Sequence, residues 1–279
     1  MTEALFYEKG EQSLQCLLCP HFCVLRNDES GICRVRMNRH GMLVAHSYGK
    51  ISGLQMDPIE KKPLYHFMTG TETLSFGSYG CNLRCSHCQN WHLSMETPKL
   101  YEAMPQDIVK TAKRMGAPSI SFTYNEPFIS YEYVTDTAKM AKYNNLSVIL
   151  VTNGYVNQEP LKEMLPYIDA MNIDLKAFHN ETHLNVCGGQ VAPVLNTIQT
   201  AVSSCHVEVT TLLVTGMHTK DELREMFQWL ADLSPSIPLH LTRYFPAYQS
   251  DAPATEIHWI HQMCEEASRV LHHVYPGNC

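Results

Sequence analysis

The stretch Cys81-Asn82-Leu83-Arg84-Cys85-Ser86-His87-Cys88 carries three cysteines in the spacing C-x3-C-x2-C, and it closely follows an apolar segment at 73–78. Thiolates are soft ligands, so three of them on one short loop can hold three corners of a cubane iron–sulfur cluster and leave the fourth iron open. An open coordination position is typical of a catalytic metal centre rather than a structural one. A zinc site completed by His87 or His92 is the main alternative from the residues alone, ahead of three unliganded thiols.

Outward from this loop, the sequence alternates between apolar and amphipathic segments. Segments predicted as strands lie at 73–78, 118–123, 147–151, 170–174, 207–214 and 238–243. Segments predicted as helices lie at 105–115, 130–144, 159–167, 193–204, 219–232 and 253–272. Six strand–helix repeats predict an α/β fold with parallel strands and right-handed crossovers. In such folds the loops after the strands carry the chemistry.

The first 70 residues have short apolar pieces and no long helical pattern. We predict that residues 1–70 form a small metal-binding cap and that residues 71–279 form the α/β domain. The cap cysteines follow the pattern C-x2-C-x3-C-x9-C and are Cys16, Cys19, Cys23 and Cys33. Four thiolates around one metal centre would stabilise a segment that has little core of its own. Ligand type leaves both a structural zinc ion and a second iron–sulfur cluster open.

The composition disfavours several classes of protein. The 279 residues include 28 acidic and 21 basic ones, and the resulting net charge of −7 disfavours a function in binding nucleic acid through its phosphates. No apolar run approaches the length of a membrane-spanning helix, and the N-terminus lacks an apolar signal core. The 11 cysteines, an odd number without an export signal, indicate thiols or metal ligands in a reducing cytoplasm.

The cysteine loop and its place after the first predicted strand resemble the radical S-adenosylmethionine (SAM) enzymes. The resemblance implies a partial (β/α)6 TIM-like barrel with a small N-terminal cysteine-rich cap. It also implies a 4Fe-4S cluster on Cys81, Cys85 and Cys88, with an open iron that binds SAM. In this superfamily, reductive cleavage of SAM releases a 5′-deoxyadenosyl radical that abstracts hydrogen from a substrate. His87 stands where the superfamily usually has a carbocyclic aromatic residue.

Further motifs resemble the radical SAM enzymes of the AmmeMemoRadiSam system, which are similar to pyruvate formate-lyase activating enzymes. These motifs lie at 57–67, 80–85, 88–91, 123–127, 172–176 and 186–189. The resemblance implies an oxygen-sensitive cytoplasmic enzyme of an anaerobic or microaerobic host, with an electron donor such as flavodoxin or ferredoxin. Memo-like and AMMECR-like proteins are the implied partners, and the substrate is an unidentified small molecule or protein.

Two loops after predicted strands carry the candidate cofactor-binding residues. Thr123, Asn125 and Glu126 follow the second strand, and Glu126 is the expected acceptor for the ammonium of SAM. The alternative for these residues is a helix N-terminal cap. Thr152 and Asn153 end the third strand and are candidates for contacts with the ribose or carboxylate. The alternative there is an ordinary Asn-Gly turn.

Later strands add polar residues that the two-residue strand period places on defined faces. Asp174 and Lys176 share one face of the fourth strand; Asp174 is expected to face the sulfonium or a cation, and Lys176 the substrate or the SAM carboxylate. A structural salt bridge between them is the alternative. On the sixth strand, His240 and Arg243 are expected to contact adenosine or substrate. Cys187, in the loop after the fourth strand, is a candidate hydrogen-atom donor or substrate contact.

Three functions from different classes follow from these residues. The first is a radical SAM enzyme that abstracts hydrogen from an unidentified substrate. The second is an activase of a glycyl radical enzyme, although Val151 stands where such activases often have an aspartate. The third is a non-enzymatic iron–sulfur electron carrier. The two cysteine groups would allow this function, which needs no ligand pocket.

Overall fold

The computed structural model describes residues 1–279. Its first 51 residues contain short antiparallel strands and no helix. These strands are β1 (Tyr7–Lys9), β2 (Leu14–Cys16), β3 (Val24–Leu25), β4 (Arg36–Arg39), β5 (Met42–Ala45) and β6 (Lys50–Ile51). The strands β1, β2 and β3 pair in that order in one small sheet, and β4 pairs with β5 in another. The predicted cap therefore has no long helix and contains all four cap cysteines.

An eight-stranded sheet follows and forms an incomplete barrel. Its strands lie in the order β15-β14-β13-β12-β11-β10-β8-β7; all are parallel except the edge strand β7, which is antiparallel to β8. A further short strand, β9, pairs with β6 instead. The bounds are β7 (Gly53–Pro58), β8 (Glu72–Gly77), β9 (Tyr101–Glu102), β10 (Ser119–Phe122), β11 (Ser147–Thr152), β12 (Ala170–Asp174), β13 (His206–Leu213), β14 (Leu239–Arg243) and β15 (Val274–Gly277).

Helices connect the parallel strands, as the alternating pattern predicts. They are α1 (Trp91–Ser94), α2 (Pro105–Met115), α3 (Tyr131–Tyr143), α4 (Gln158–Met164), α5 (Asn180–Cys187), α6 (Ala192–Ala201), α7 (Lys220–Leu233) and α8 (Ile257–Ala267). None of them combines the length and the apolar character needed to cross a lipid bilayer. The predicted α/β class with a partial TIM-like barrel is confirmed.

Local signals account for where two of the helices begin. The helix α2 has Pro105 at its first position, and the Asp107 carboxylate accepts a hydrogen bond from the backbone N–H of Met104 at 3.0 Å. The helix α7 begins after Thr219, whose hydroxyl accepts a bond from the N–H of Glu222 at 3.1 Å. Both starts agree with the sequence prediction.

Several elements were not predicted. The edge strand β15 contains Pro276, and proline weakens a strand pattern because it cannot donate to the ladder. The edge strand β7 (Gly53–Pro58) has no β-branched residue, and no strand was predicted there. The helix α5 (Asn180–Cys187) follows β12 closely, so Cys187 ends a helix instead of lying in a loop.

The segment between β7 and β8 fills the lower end of the barrel, where the parallel strands begin. Leu64 of this segment is fully buried and packs with Ile149 of β11 and Ala170 of β12. The Pro63 carbonyl accepts a hydrogen bond from the Asn172 side chain at 2.9 Å. We call residues 59–67 the plug. Because β7 and the plug belong to the barrel, the predicted boundary at residue 70 does not coincide with the edge of the sheet.

The buried carboxylate of Glu208, on β13, fixes the plug to the barrel. It accepts hydrogen bonds from the backbone N–H groups of Tyr65 and His66 at 3.0 and 2.8 Å. The imidazoles of His206 and His240 contact it at 2.9 and 2.7 Å. Burial by itself raises the pKa of Glu208, but these hydrogen bonds outweigh it and lower the pKa to about 2.

The substitution Glu208→Gln should destabilise the protein, because it removes the charge that four donors share while leaving those donors buried. We expect a loss of about 2–4 kcal/mol in the free energy of unfolding, or a fall in Tm of roughly 5–10 °C. The pKa of Glu208 is lower in the folded state than in the unfolded state. The stabilisation by its carboxylate is therefore complete above about pH 4.5 and is lost as the pH falls toward 2. Thermal unfolding between pH 3 and 7 measures both effects.

The exposed Glu11 provides the control substitution Glu11→Gln. An unchanged Tm in Glu208→Gln, or an acid sensitivity equal to that of the control variant, would contradict this role for the carboxylate.

Candidate active site

A cavity of about 350 Å³ opens at the upper end of the barrel, where the parallel strands end. Active sites of β/α barrels occupy this end because the loops that follow the strands converge there. Ten of the residues predicted from the sequence line this one cavity: Cys81, Cys85, Cys88, Thr123, Asn125, Glu126, Thr152, Asn153, Asp174 and Lys176.

Residues 80–88, which we call the cluster loop, form one wall of the cavity. The sulfur of Cys81 accepts hydrogen bonds from the Leu83 N–H at 3.4 Å and from the Asn153 side chain at 3.5 Å. Burial raises the pKa of the Cys81 thiol above its usual value, so binding a metal centre must displace its proton. N–H donors directed at sulfur stabilise the resulting thiolate.

The arrangement of these thiols fits a cluster better than a single ion. No group of three or more His, Cys, Asp or Glu side chains is arranged to hold a single metal ion. A cubane cluster holds its thiolates farther apart, because each one binds a different iron atom. The three thiols of the cluster loop face one open cavity, which leaves room for a ligand on a fourth iron.

Glu126 is buried beside the cluster loop and is held by three donors of the chain. Its carboxylate accepts bonds from the Thr152 hydroxyl at 2.7 Å and from the backbone N–H groups of Asn153 and Phe128 at 2.8 and 2.9 Å. Burial raises the pKa of Glu126 to about 7, against the effect of these donors. A carboxylate offers about four acceptor positions, so one remains for a further donor from the cavity.

Asn125 joins its loop to the start of the cluster loop. Its amide donates to the carbonyls of Tyr79 and Gly80 at 3.2 and 3.0 Å, and its oxygen accepts from the N–H of Ser78 at 2.7 Å. All of these bonds lie within the chain. Asn125 therefore fixes the loops that form the cavity. This structural role is closer to the alternative considered for Asn125 than to binding a cofactor.

Asp174 and Lys176 lie on the same side of the cavity, as the strand period predicts. The Lys176 ammonium and the Asp174 carboxylate are 2.9 Å apart. Burial by itself lowers the pKa of Lys176, but the neighbouring Asp174 carboxylate outweighs it and raises the pKa. Lys176 therefore stays charged beside Asp174, and part of each side chain remains accessible from the cavity.

Comparison with known sequences identifies the family of this chain. Residues 76–230 match the radical SAM superfamily, which is more than half of the chain. The chain belongs to the radical SAM superfamily. This membership supports an enzyme, and it implies a 4Fe-4S cluster and SAM as cofactors.

Three individual proteins illustrate what this radical SAM protein is similar to. An uncharacterized protein of Methanocaldococcus jannaschii is 40% identical over 100% of this chain and 85% of its own length. The pyruvate formate-lyase 1-activating enzyme of Escherichia coli K12 is 28% identical over 39% of this chain and 47% of its own length. A radical SAM methyltransferase from Sphaerobacter thermophilus has a similar fold, with a TM-score of 0.58 at 13% identity, covering 75% of this chain and 67% of that one.

Three of the predicted catalytic and cofactor-binding residues lie outside the cavity of the radical SAM barrel. His240 lies near the start of β14 and contacts Glu208, because the strand period gives the face of a residue but not its height along the strand. Arg243 ends β14, donates from Nε to the carbonyl of Thr255 at 2.8 Å and lies 4.7 Å from the Phe245 ring. Neither residue lines the cavity, so their expected contacts with adenosine or substrate stay predictions.

Cys187 is the third of these residues. It is fully buried at the end of α5, and its carbonyl accepts a hydrogen bond from the Arg84 N–H at 2.7 Å. Its thiol lies beside that of Cys85 and does not line the cavity. The end of α5 directs the side chain into the core, and the expected substrate contact of Cys187 stays a prediction.

The sequence prediction missed a charged pair, Asp57 and Lys62, that lies behind the cavity wall formed by Tyr124. Lys62 and Tyr124 both bond to the Asp57 carboxylate, at 2.7 and 2.6 Å. Burial by itself raises the pKa of Asp57, but these two hydrogen bonds hold it well below its usual range. Tyr124 has a φ of 72° and lines the cavity together with Lys61. The motif at 57–67 was the signal for this segment, but it gave no role to Asp57 or Lys62.

The substitution Gly77→Ala should disturb the loops around the cavity. A Cβ at this position would overlap the Thr123 carbonyl oxygen and lie 2.9 Å from the Asn125 side-chain oxygen. We expect the free energy of unfolding to fall by about 2 kcal/mol, because an overpacked buried site must shift its backbone. Denaturant unfolding measures the change. Gly10→Ala is the control, since the added Cβ would lie 3.3 Å from its nearest neighbour, the Ser13 carbonyl oxygen. Equal stability of the two variants would contradict the prediction.

Proposed function

We propose that this radical SAM protein cleaves SAM reductively and abstracts hydrogen from an unidentified substrate. The observation that carries the proposal is the meeting of the three cysteines of the cluster loop with Glu126, Asn153 and Asp174 in one cavity. When bound, the 4Fe-4S cluster and SAM supply the 5′-deoxyadenosyl radical. The chain supplies the ligands, the orientation of SAM and the exclusion of water.

Glu126 is proposed to bind the ammonium of SAM. Its carboxylate is already fixed by Thr152 and Asn153, so it loses little freedom when SAM binds. Its remaining acceptor position suits an ammonium, and a charge-assisted bond in a buried site is stronger than a neutral one. Thr152 and Asn153 hold this carboxylate and are proposed to line the adjacent part of the cofactor site.

Asp174 and Lys176 are proposed to act on the far side of the cofactor. Asp174 would face the sulfonium, which favours a nearby negative charge. Lys176 would face the SAM carboxylate or the substrate, and its ion pair with Asp174 keeps it charged. Arg243, His240 and Cys187 are left out of this proposal because they lie outside the cavity.

The substrate and partners are proposed from the sequence resemblance. The resemblance to AmmeMemoRadiSam enzymes favours Memo-like and AMMECR-like partners, a flavodoxin or ferredoxin as electron donor, and a cytoplasmic location in an anaerobic host. A second candidate is the activation of a glycyl radical enzyme, favoured by the similarity to the Escherichia coli activating enzyme. An electron carrier is disfavoured, because a carrier needs no cavity of this size with charged walls.

The first test is anaerobic. The protein is reconstituted with iron and sulfide, reduced with dithionite and supplied with SAM, and 5′-deoxyadenosine is measured by mass spectrometry. We expect the nucleoside to form in the wild type and to be lost in Cys81→Ala, Cys85→Ala and Cys88→Ala. Cys205→Ala, outside both cysteine groups, should keep it. Failure of a fully iron-loaded wild type to form the nucleoside would sink the proposal.

The substitution Glu126→Gln tests the cofactor site separately. It keeps the shape of the side chain but removes the charge that attracts the ammonium. We expect SAM to bind about 10–100-fold more weakly, because a hydrogen bond to a charged group contributes about 1.5–3 kcal/mol. Equilibrium binding to the folded, iron-loaded variant measures this, with the exposed Glu163→Gln as control. Equal affinity in both variants would assign Glu126 a structural role alone.

A further inference from the structure

The cap cysteines surround a single enclosed space that is separate from the cavity. The rest of its lining is the apolar side chains of Leu18, Ile32 and Ile129 together with His21, Gly31 and Arg36. Ile129 belongs to the loop before α3, so the barrel contributes to the wall. Four thiols from different turns share this space, which is not expected of cysteines placed singly as small apolar residues.

Backbone N–H groups lie near the sulfurs around this space. The N–H of His21 is near the Cys19 sulfur, and the N–H of Ile32 is near that of Cys23. The N–H groups of Val35 and Arg36 are near the sulfur of Cys33. Hydrogen bonds from N–H groups to sulfur stabilise thiolate ligands and set the reduction potential of iron–sulfur clusters.

Arg36 adds a buried positive charge with an unused donor. The residue is 1% exposed, its Nη1 lies 3.0 Å from the Glu132 carboxylate, and its Nη2 donates to the Leu5 carbonyl. Its Nε has no partner, although Arg36 lines the space between the cysteines. An unpaired buried N–H is costly, so this donor indicates an acceptor in that space. An anionic, sulfur-rich centre is such an acceptor.

The positions of the thiols favour a cluster over one zinc ion. Zinc–sulfur bonds of about 2.3 Å in a tetrahedron place the sulfurs roughly 3.8 Å apart around one point. The cap cysteines do not converge in this way, and neither do those of the cluster loop. The space between the thiols is narrow, about 10 Å³, so a cubane there requires apolar side chains such as Leu18 and Ile32 to move outward.

The cap site and the cluster loop are in direct contact. The His21 imidazole bonds to the Asn82 carbonyl at 2.6 Å, and the Arg84 guanidinium donates to the Ile32 carbonyl at 2.6 Å. Gly80 packs against the Cys33 carbonyl so closely that a Cβ there would overlap it. The residues flanking the cap cysteines thus contact residues flanking the three cysteines of the cluster loop.

We propose that the cap cysteines hold a second iron–sulfur cluster that passes electrons to the one on the cluster loop. The inference rests on the proposed function in one respect, since it needs the cluster-loop cluster as acceptor. One electron enters from a low-potential flavodoxin or ferredoxin, reduces the cap cluster, and moves to the cluster-loop cluster, which returns the cap cluster to its oxidised state. The donor is oxidised by the same one electron.

The test begins with the metal content of the anaerobically reconstituted full chain. If both clusters are cubanes, we expect about eight iron atoms and eight sulfides per chain in the wild type. The triple variant Cys81→Ala, Cys85→Ala, Cys88→Ala should retain about four of each on the cap cysteines. Cys16→Ser with Cys23→Ser should retain about four on the cluster loop, and Cys205→Ser should retain all eight. Electron paramagnetic resonance of the two half-loaded variants should give two distinct signals.

Contact between the sites adds a readout that a merely structural metal would not give. The spectrum of the reduced wild type should differ from the sum of the two half-loaded spectra, because neighbouring reduced clusters interact magnetically. One zinc ion with about four iron atoms per chain would overturn the inference, and so would an iron-free triple variant. If the wild type carries both clusters but does not cleave SAM, the proposed function fails and the cap cluster stands.

Discussion

The Glu126 carboxylate holds together the chain segments that form the cavity. A buried carboxylate is costly unless donors replace its hydration, and here the donors come from its own loop and from the end of β11. The adjacent Asn125 extends the connection to the cluster loop through Ser78 and Gly80. Displacing one of these loops would leave buried polar groups unpaired in the others, so the cavity walls are fixed before any cofactor binds.

The interior of the barrel shows why only one end is available for chemistry. At the lower end, the plug brings its backbone N–H groups to Glu208 and buries Leu64 between two strands. Above it, the Thr210 hydroxyl bonds to the Asn172 side chain at 3.0 Å. Only at the upper end do charged side chains such as Asp174 face open space. Polar residues on the inner face of the barrel therefore stabilise the fold at the lower end and face the open cavity at the upper end.

The cap is joined to the barrel through the cluster loop as well as through the chain. Arg34 donates to the carbonyls of Met95 and Glu96, which follow the cluster loop, and Arg36 forms a buried ion pair with Glu132 of α3. The relative from Methanocaldococcus jannaschii aligns with the whole of this chain, so the similarity includes the cap. A change in the cap would act directly on Gly80 and Asn82, next to the first of the three cysteines.

The sequence by itself determined the α/β class, the six strand–helix repeats and the cysteine spacing, because these depend on local periodicity and on the chemistry of nearby residues. It also placed ten site residues that the fold brings into one cavity. Only the tertiary structure decided the height of His240 along its strand and the position of Cys187 at a helix end. Both depend on packing between distant segments. The plug was missed for the same reason, since Tyr65 and Glu208 lie 143 residues apart and the bond between them leaves no local pattern.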